Sequence, residues 1–206
     1  MIAIIDYGVG NLFSLTASLK HLNAETIVTN KKEDIEKADR IILPGVGAFE
    51  DAIAKLKATG LVDTIIEQTQ AGKPLLGICL GMQLLFEESH EYGVHKGLGL
   101  IPGTIASIDT DLKAAEISGL KVPHIGWNAL SFNEDEPLFK YIEQGECVYY
   151  VHSFYGKNCE VNTIASSEYG INITGAVKNG KVYGTQFHPE KSGTTGLNIL
   201  RAFLEV

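Results

Sequence analysis

The chain has 206 residues, 45% of them hydrophobic, with 22 glycines, three cysteines and a net charge of −8. That size suits one α/β domain over residues 1–206, the acidic balance excludes non-specific nucleic-acid binding by counterion release, and no apolar run is long enough for a membrane span. Cys79, Cys147 and Cys159 lack metal-ligand spacing, so neither metal nor cofactor is expected; with no basic n-region before Asp6, the reading is a cytoplasmic protein whose thiols stay reduced.

Ile2–Asp6 reads as an apolar strand followed by the turn Gly8-Val9-Gly10-Asn11, with Asn11 as N-cap of a helix carrying Leu12, Leu15, Leu19 and Leu22. Glu25–Val28 and Ile41–Leu43 are the next strands, the second running into Pro44-Gly45-Val46-Gly47. Helical segments around Phe49–Lys57 and Leu61–Thr69 precede a fourth strand at Leu75–Ile78. Strands alternating with helices predict a parallel sheet covered on both faces.

The pattern changes after His90. Gly97–Gly103 reads as a loop, and Thr104–Ile108, Trp127–Leu130, Cys147–His152 and Asn162–Ser166 as β-like stretches. Glu134, Asp135 and Glu136 fall in a solvated loop, Asn133–Pro137. Ile173–Lys178 and Val182–Phe187 flank Asn179-Gly180, a strong hairpin signal, and Thr195–Leu204 closes the chain as a helix. The expected fold is a single α/β domain: a mixed, mostly parallel central sheet with helices on both faces and further antiparallel strands in the C-terminal half.

One cysteine stands on a strand-to-helix turn. Gly77-Ile78-Cys79-Leu80-Gly81 is the cysteine version of a nucleophile elbow, in which a tight turn lifts the reactive atom above the sheet. A free thiol is mostly protonated at neutral pH, and a helix N-terminus with an imidazolium partner favours the thiolate. His188-Pro189-Glu190 offers that partner. Pro189 is expected to keep the segment extended, so that the two side chains point the same way and Glu190 orients the ring. Attack on a carbonyl needs two N–H donors for the oxyanion. The Leu80 amide is one candidate, and Val46 or Gly47 in the glycine-rich loop supplies the other. Gln83, one helical turn past Cys79, projects near the same pocket. Cys147 and Cys159 read as incidental or buried thiols, and His90 and His95 fit no metal set. His124 reads as structural or interfacial. His152 can line the pocket but has no adjacent carboxylate to make it the base.

Pro44–Phe49, Gly77–Gln83 and Gln186–Glu190 together resemble the triad-type, class I glutamine amidotransferases, in family order and across nearly the whole chain. The resemblance implies a flavodoxin-like fold and a triad of Cys79, His188 and Glu190 that hydrolyses glutamine through a γ-glutamyl thioester. It also implies glutamine recognition by Gly47, Gln83 and the His152-Ser153-Phe154 backbone. Asp6–Asn11, Pro123–Asn128 and Glu190-Lys191-Ser192 resemble the glutaminase subunits of imidazole glycerol phosphate synthases, which implies a heterodimer with a (β/α)₈-barrel cyclase in histidine biosynthesis. Asn11, Trp127 and Lys191 lie in the motifs expected to border that partner. Because Gly45 and Gly47 make the Val46 peptide easy to rotate, its amide is expected to align only when the partner docks. The alternatives are a glutaminase serving anthranilate or GMP synthesis, or a binding module that kept the fold without the chemistry.

Overall fold

The structure, a computed structural model, describes residues 1–206. The first half runs β1 (Ile2–Ile5), α1 (Leu12–His21), β2 (Thr26–Thr29), α2 (Lys32–Lys37), β3 (Arg40–Gly45), α3 (Phe49–Ala58), α4 (Val62–Gln70), β4 (Leu75–Cys79) and α5 (Leu80–Leu84). Then come β5 (Phe86–Ser89), β6 (His95–Lys96), β7 (Ile101–Ser107), α6 (Ile108–Ala114), β8 (His124–Ala129) and β9 (Ser131–Phe132). The chain ends with β10 (Cys147–His152), β11 (Phe154–Lys157), β12 (Thr163–Tyr169), β13 (Ile171–Asn179), β14 (Val182–Thr185) and α7 (Gly193–Phe203).

Eight strands form the central sheet in the order β2-β1-β3-β4-β14-β13-β12-β9. The first five are parallel and the last three antiparallel, as the switch from βα repeats to hairpin signals implied. In β1, Ile2 and Ile4 join one buried cluster while Ala3 and Ile5 join another, so both faces are covered. Leu15 and Leu19 of α1 and Ile199, Leu200 and Phe203 of α7 pack on the first face. Phe49, Ile53 and Leu56 of α3 and Ile65 of α4 pack on the second. No helix is long and apolar enough to cross a membrane.

Several local readings change. Lys32–Lys37 is helical although it buries only Ile35, too little to leave a periodic signal. The Gly97–Gly103 stretch is half strand, since β7 begins at Ile101; β7 ends at Ser107, whose side chain caps α6 by accepting from the Thr110 amide. The hairpin loop is Gly180-Lys181, one residue beyond the reading, because Asn179 already pairs with Val182. Glu136 is buried rather than solvated, with both carboxylate oxygens on Lys178 at 3.0 and 2.8 Å. Cys147 is exposed and Cys159 buried.

Phe203 is fully buried edge-to-face against Tyr183, whereas Phe13 is 84% exposed. Phe203→Ala should therefore cost about 3–5 kcal/mol in urea unfolding. Phe13→Ala should stay within about 0.5 kcal/mol, and equal costs would contradict this placement of the core.

Candidate active site

Cys79 ends β4 with φ +54° and ψ −111°, a conformation an L-residue adopts only under constraint, at a cost of about 1–3 kcal/mol. The constraint is backbone proximity. A side chain on Gly81 would strike the Leu43 carbonyl, and one on Gly77 would come within 2.7 Å of the Met82 backbone. Glycines on both sides of Cys79 thus let α5 press onto β3 and β4, which drives the sulfur out at the carboxyl edge of the sheet.

Gly45 pairs in register with Cys79, and a Cβ there would meet the Gly81 amide at 2.7 Å and the Tyr7 hydroxyl at 2.8 Å. Tyr7 donates to the Pro44 carbonyl at 2.7 Å; burial, then the charge of Cys79, raises its pKa and keeps it a donor. Gly45 therefore has no room for a side chain. Gly47, by contrast, has φ +100°, which favours glycine, and open space where a Cβ would sit. The Val46 and Gly47 amides have no protein acceptor.

His188 Nδ1 sits 2.8 Å from Glu190 Oε1, with both side chains at most 3% exposed. The local geometry differs from the sequence reading. β14 stops at Thr185, and Pro189–Lys191 is a 3₁₀ turn, so the turn rather than a strand pleat brings Glu190 back onto the ring. Proline suits the first position of such a turn as well as it suits an extended segment. Nε2 is sealed without a hydrogen-bond partner, and with Nδ1 spent on Glu190 it is the nitrogen left for the Cys79 thiol. Burial opposes charge on this ring, but Cys79 and Glu190 outweigh it and raise the pKa to about 9.

A cavity of about 400 Å³ opens at this point, within the range of small-molecule sites. Val46, Gly47, Cys79, Leu80, Gln83, His152, Ser153, Phe154 and His188 all line it. Glu190 stands behind His188, outside the lining. Sequence reasoning missed Glu91 and Tyr92 on the wall. Glu91 Oε2 accepts from the Phe49 amide at 2.6 Å, and nothing in its spacing announced this. Gln186 was missed too: its Nε2 lies 3.8 Å from Cys79 Sγ, and its Oε1 accepts from Gln83 at 2.9 Å. Its position two residues before His188 was the available signal.

The three residues assigned to a partner surface lie outside the cavity. Trp127 is 57% exposed and meets Tyr149 edge-on at 6.1 Å, and Lys191 Nζ stands 6.0 Å from the same Tyr149 ring. Those two share a patch. Asn11 is separate; its side chain accepts from the Ser14 amide at 3.4 Å as the N-cap of α1, and it borders a crevice with Pro44 and Glu190.

An α/β sheet with a cysteine elbow at its carboxyl edge and a carboxylate-backed histidine beside it defines a protein equipped for acyl transfer through a thioester. The family model for class-I glutamine amidotransferases matches residues 3–206, and the chain belongs to that family. It is 48% identical, over all of its length and 96% of the relative's, to "imidazole glycerol phosphate synthase subunit HisH" of Listeria monocytogenes. A relative of the same name from Geobacillus kaustophilus is 47% identical over 100% of this chain and 97% of its own. A solved glutamine amidotransferase superposes with TM-score 0.74 at 20% identity, covering 100% of this chain and 98% of its own, a likeness of fold alone.

Acid and alkali should act on opposite histidines. Folded His188 keeps its proton to about pH 9, against 6.5 when unperturbed, so its contribution to stability is complete below 6.5 and lost as pH rises through 9. Burial depresses His124 to about 4 and His152 to about 3, so their contributions are complete above 6.5 and lost as pH falls. Denaturant unfolding across pH should show both declines, with Glu190→Gln flattening the alkaline one. An alkaline decline that persists undiminished in that variant would place its origin elsewhere.

Proposed function

We propose that this chain is the glutaminase subunit of an imidazole glycerol phosphate synthase. It hydrolyses L-glutamine to glutamate and ammonia and passes the ammonia to a (β/α)₈-barrel cyclase that makes imidazole glycerol phosphate and AICAR in histidine biosynthesis. The observation that carries the reading is the full-length identity of 48% to a relative of that name, in a chain that keeps Cys79 at the elbow and the His188–Glu190 pair.

Cys79 attacks as the thiolate, with its proton on His188 Nε2. The sulfur adds to the side-chain carbonyl carbon of glutamine, and the developing oxyanion takes the Leu80 and Val46 amides. His188 gives its proton to the leaving nitrogen, the C–N bond breaks, and ammonia departs from a γ-glutamyl thioester. Water then adds to the thioester with His188 as base, and expulsion of the sulfur yields glutamate. Glu190 fixes the ring and stabilises its charged form. At the other end of the substrate, the Gln83 Oε1 and the Glu91 carboxylate suit the α-ammonium group, and the Ser153 and Phe154 backbone completes the pocket.

A partner follows from the product. Ammonia released to water is protonated and diluted, whereas a closed interface keeps it nucleophilic. The heterodimer surface includes Trp127 and Lys191, with Asn11 at the crevice beside the site. Its cytoplasmic setting keeps the three thiols reduced.

Cys79→Ala in the assembled complex should lower glutamine-dependent synthesis at least about a thousandfold while leaving ammonia-dependent synthesis intact. Retained glutamine-dependent activity would sink the assignment. Productive assembly with an anthranilate or GMP synthase instead of the cyclase would redirect it.

A further inference from the structure

The hydrogen bonds around His124 give this residue a specific place. His152 Nδ1 lies 2.8 Å from the Phe154 carbonyl, which can only accept, so Nδ1 carries the ring proton. Asn128 Nδ2 donates to the Glu168 carbonyl at 2.8 Å, which fixes that amide and leaves its second N–H for His124 Nε2 at 3.4 Å. His124 Nε2 therefore accepts, and its Nδ1 donates to His152 Nε2 at 3.0 Å. Every proton in the row points the same way, from Asn128 to Phe154. His124 is held in place by stacking on Tyr150 and Tyr169, at centroid distances of 4.8 and 4.0 Å. Burial keeps both rings neutral, so the row is intact at physiological pH.

The row ends in the cavity wall. The Phe154 carbonyl also accepts from Gln83 Nε2 at 3.0 Å, and the second N–H of Gln83 goes to Gln186 at 2.9 Å. With both N–H groups committed, Gln83 has only its oxygen to offer a ligand.

We propose that His124 is a positioning residue of the glutamine site: it fixes the Nδ1–H tautomer of His152, which holds the Phe154 carbonyl and, through it, the Gln83 amide with its oxygen toward the substrate. The proposal rests on the glutaminase reading. Without a donor at Nε2, His152 is free to move its proton there; Phe154 then loses one partner, and Gln83 loses part of what orients it. The consequence falls on substrate binding, not on the nucleophile.

His124→Phe keeps the aromatic stack and removes the donor, and His124→Asn restores an N–H near the position of Nδ1. In the complex with the cyclase, H124F should raise KM for glutamine about tenfold, the scale of one lost buried hydrogen bond, with kcat changing less; H124N should recover most of that loss. Imidazole ¹⁵N shifts should show His152 as Nδ1–H in the unsubstituted protein and in H124N, and shifted toward Nε2–H in H124F. Unchanged KM and tautomer in H124F would overturn the proposal, as would a loss confined to kcat that H124N does not repair. If H124F does not fold, an Nε2–H tautomer on His152 of the unsubstituted protein overturns it and Nδ1–H with rescued KM in H124N supports it. If the unsubstituted complex hydrolyses no glutamine, the functional reading fails and the positioning role with it, while the tautomer measurement separately decides whether His124 sets the proton of His152.

Discussion

The site depends on backbone meeting backbone where β3, β4 and α5 converge. Gly81 lies against the Leu43 carbonyl, Gly77 against Met82, and Gly45 against Gly81, each with no room for a side chain. Closing that contact forces Cys79 to positive φ and points its sulfur away from the sheet. It also brings the Pro44–Gly47 loop alongside, because Gly45 and Cys79 are paired residues of neighbouring strands. Nucleophile and oxyanion loop are thus placed by one packing event, and the strain at Cys79 is held by the burial of the strands beneath it.

The other wall comes from a different part of the sheet system. His152, Ser153 and Phe154 join β10 to β11, and those strands pair with β8 and β7 rather than with the central sheet. Gln83 stitches the two parts together, with one N–H on Phe154 and one on Gln186. The cavity therefore exists only once both halves of the chain have folded, and its walls are more than 70 residues apart in sequence along the Gln83–Phe154 bond.

This division explains what was readable in the sequence. β1, β3 and β4 announce themselves because strands buried on both faces need continuous apolar runs, and the elbow announces itself because close approach demands glycine at two fixed positions. α2 and α6 bury one and two residues and leave almost no periodicity. The charge run at Glu134–Glu136 hides a buried Glu136 because its partner, Lys178, lies 42 residues further along the chain, on β13. Glu91 and Gln186 escaped for the same reason. Each gains its position from a contact distant in sequence, with Phe49 in one case and with Cys79 and Gln83 in the other.

Two buried histidines line the same cavity, and burial alone would keep both neutral. Their neighbours separate them. His188 has a carboxylate on one nitrogen and the Cys79 sulfur on the side of the other, so taking the thiol's proton leaves the ring between two anions and makes two ion pairs. The ring proton of His152 is committed to the Phe154 carbonyl, and its other nitrogen accepts a hydrogen bond from His124, so a second proton would have to displace a donor. A charged His188 further disfavours charge on His152. The cavity therefore holds one imidazole able to shuttle protons and one fixed as a strut, and the base cannot be exchanged between them without rebuilding both sets of neighbours.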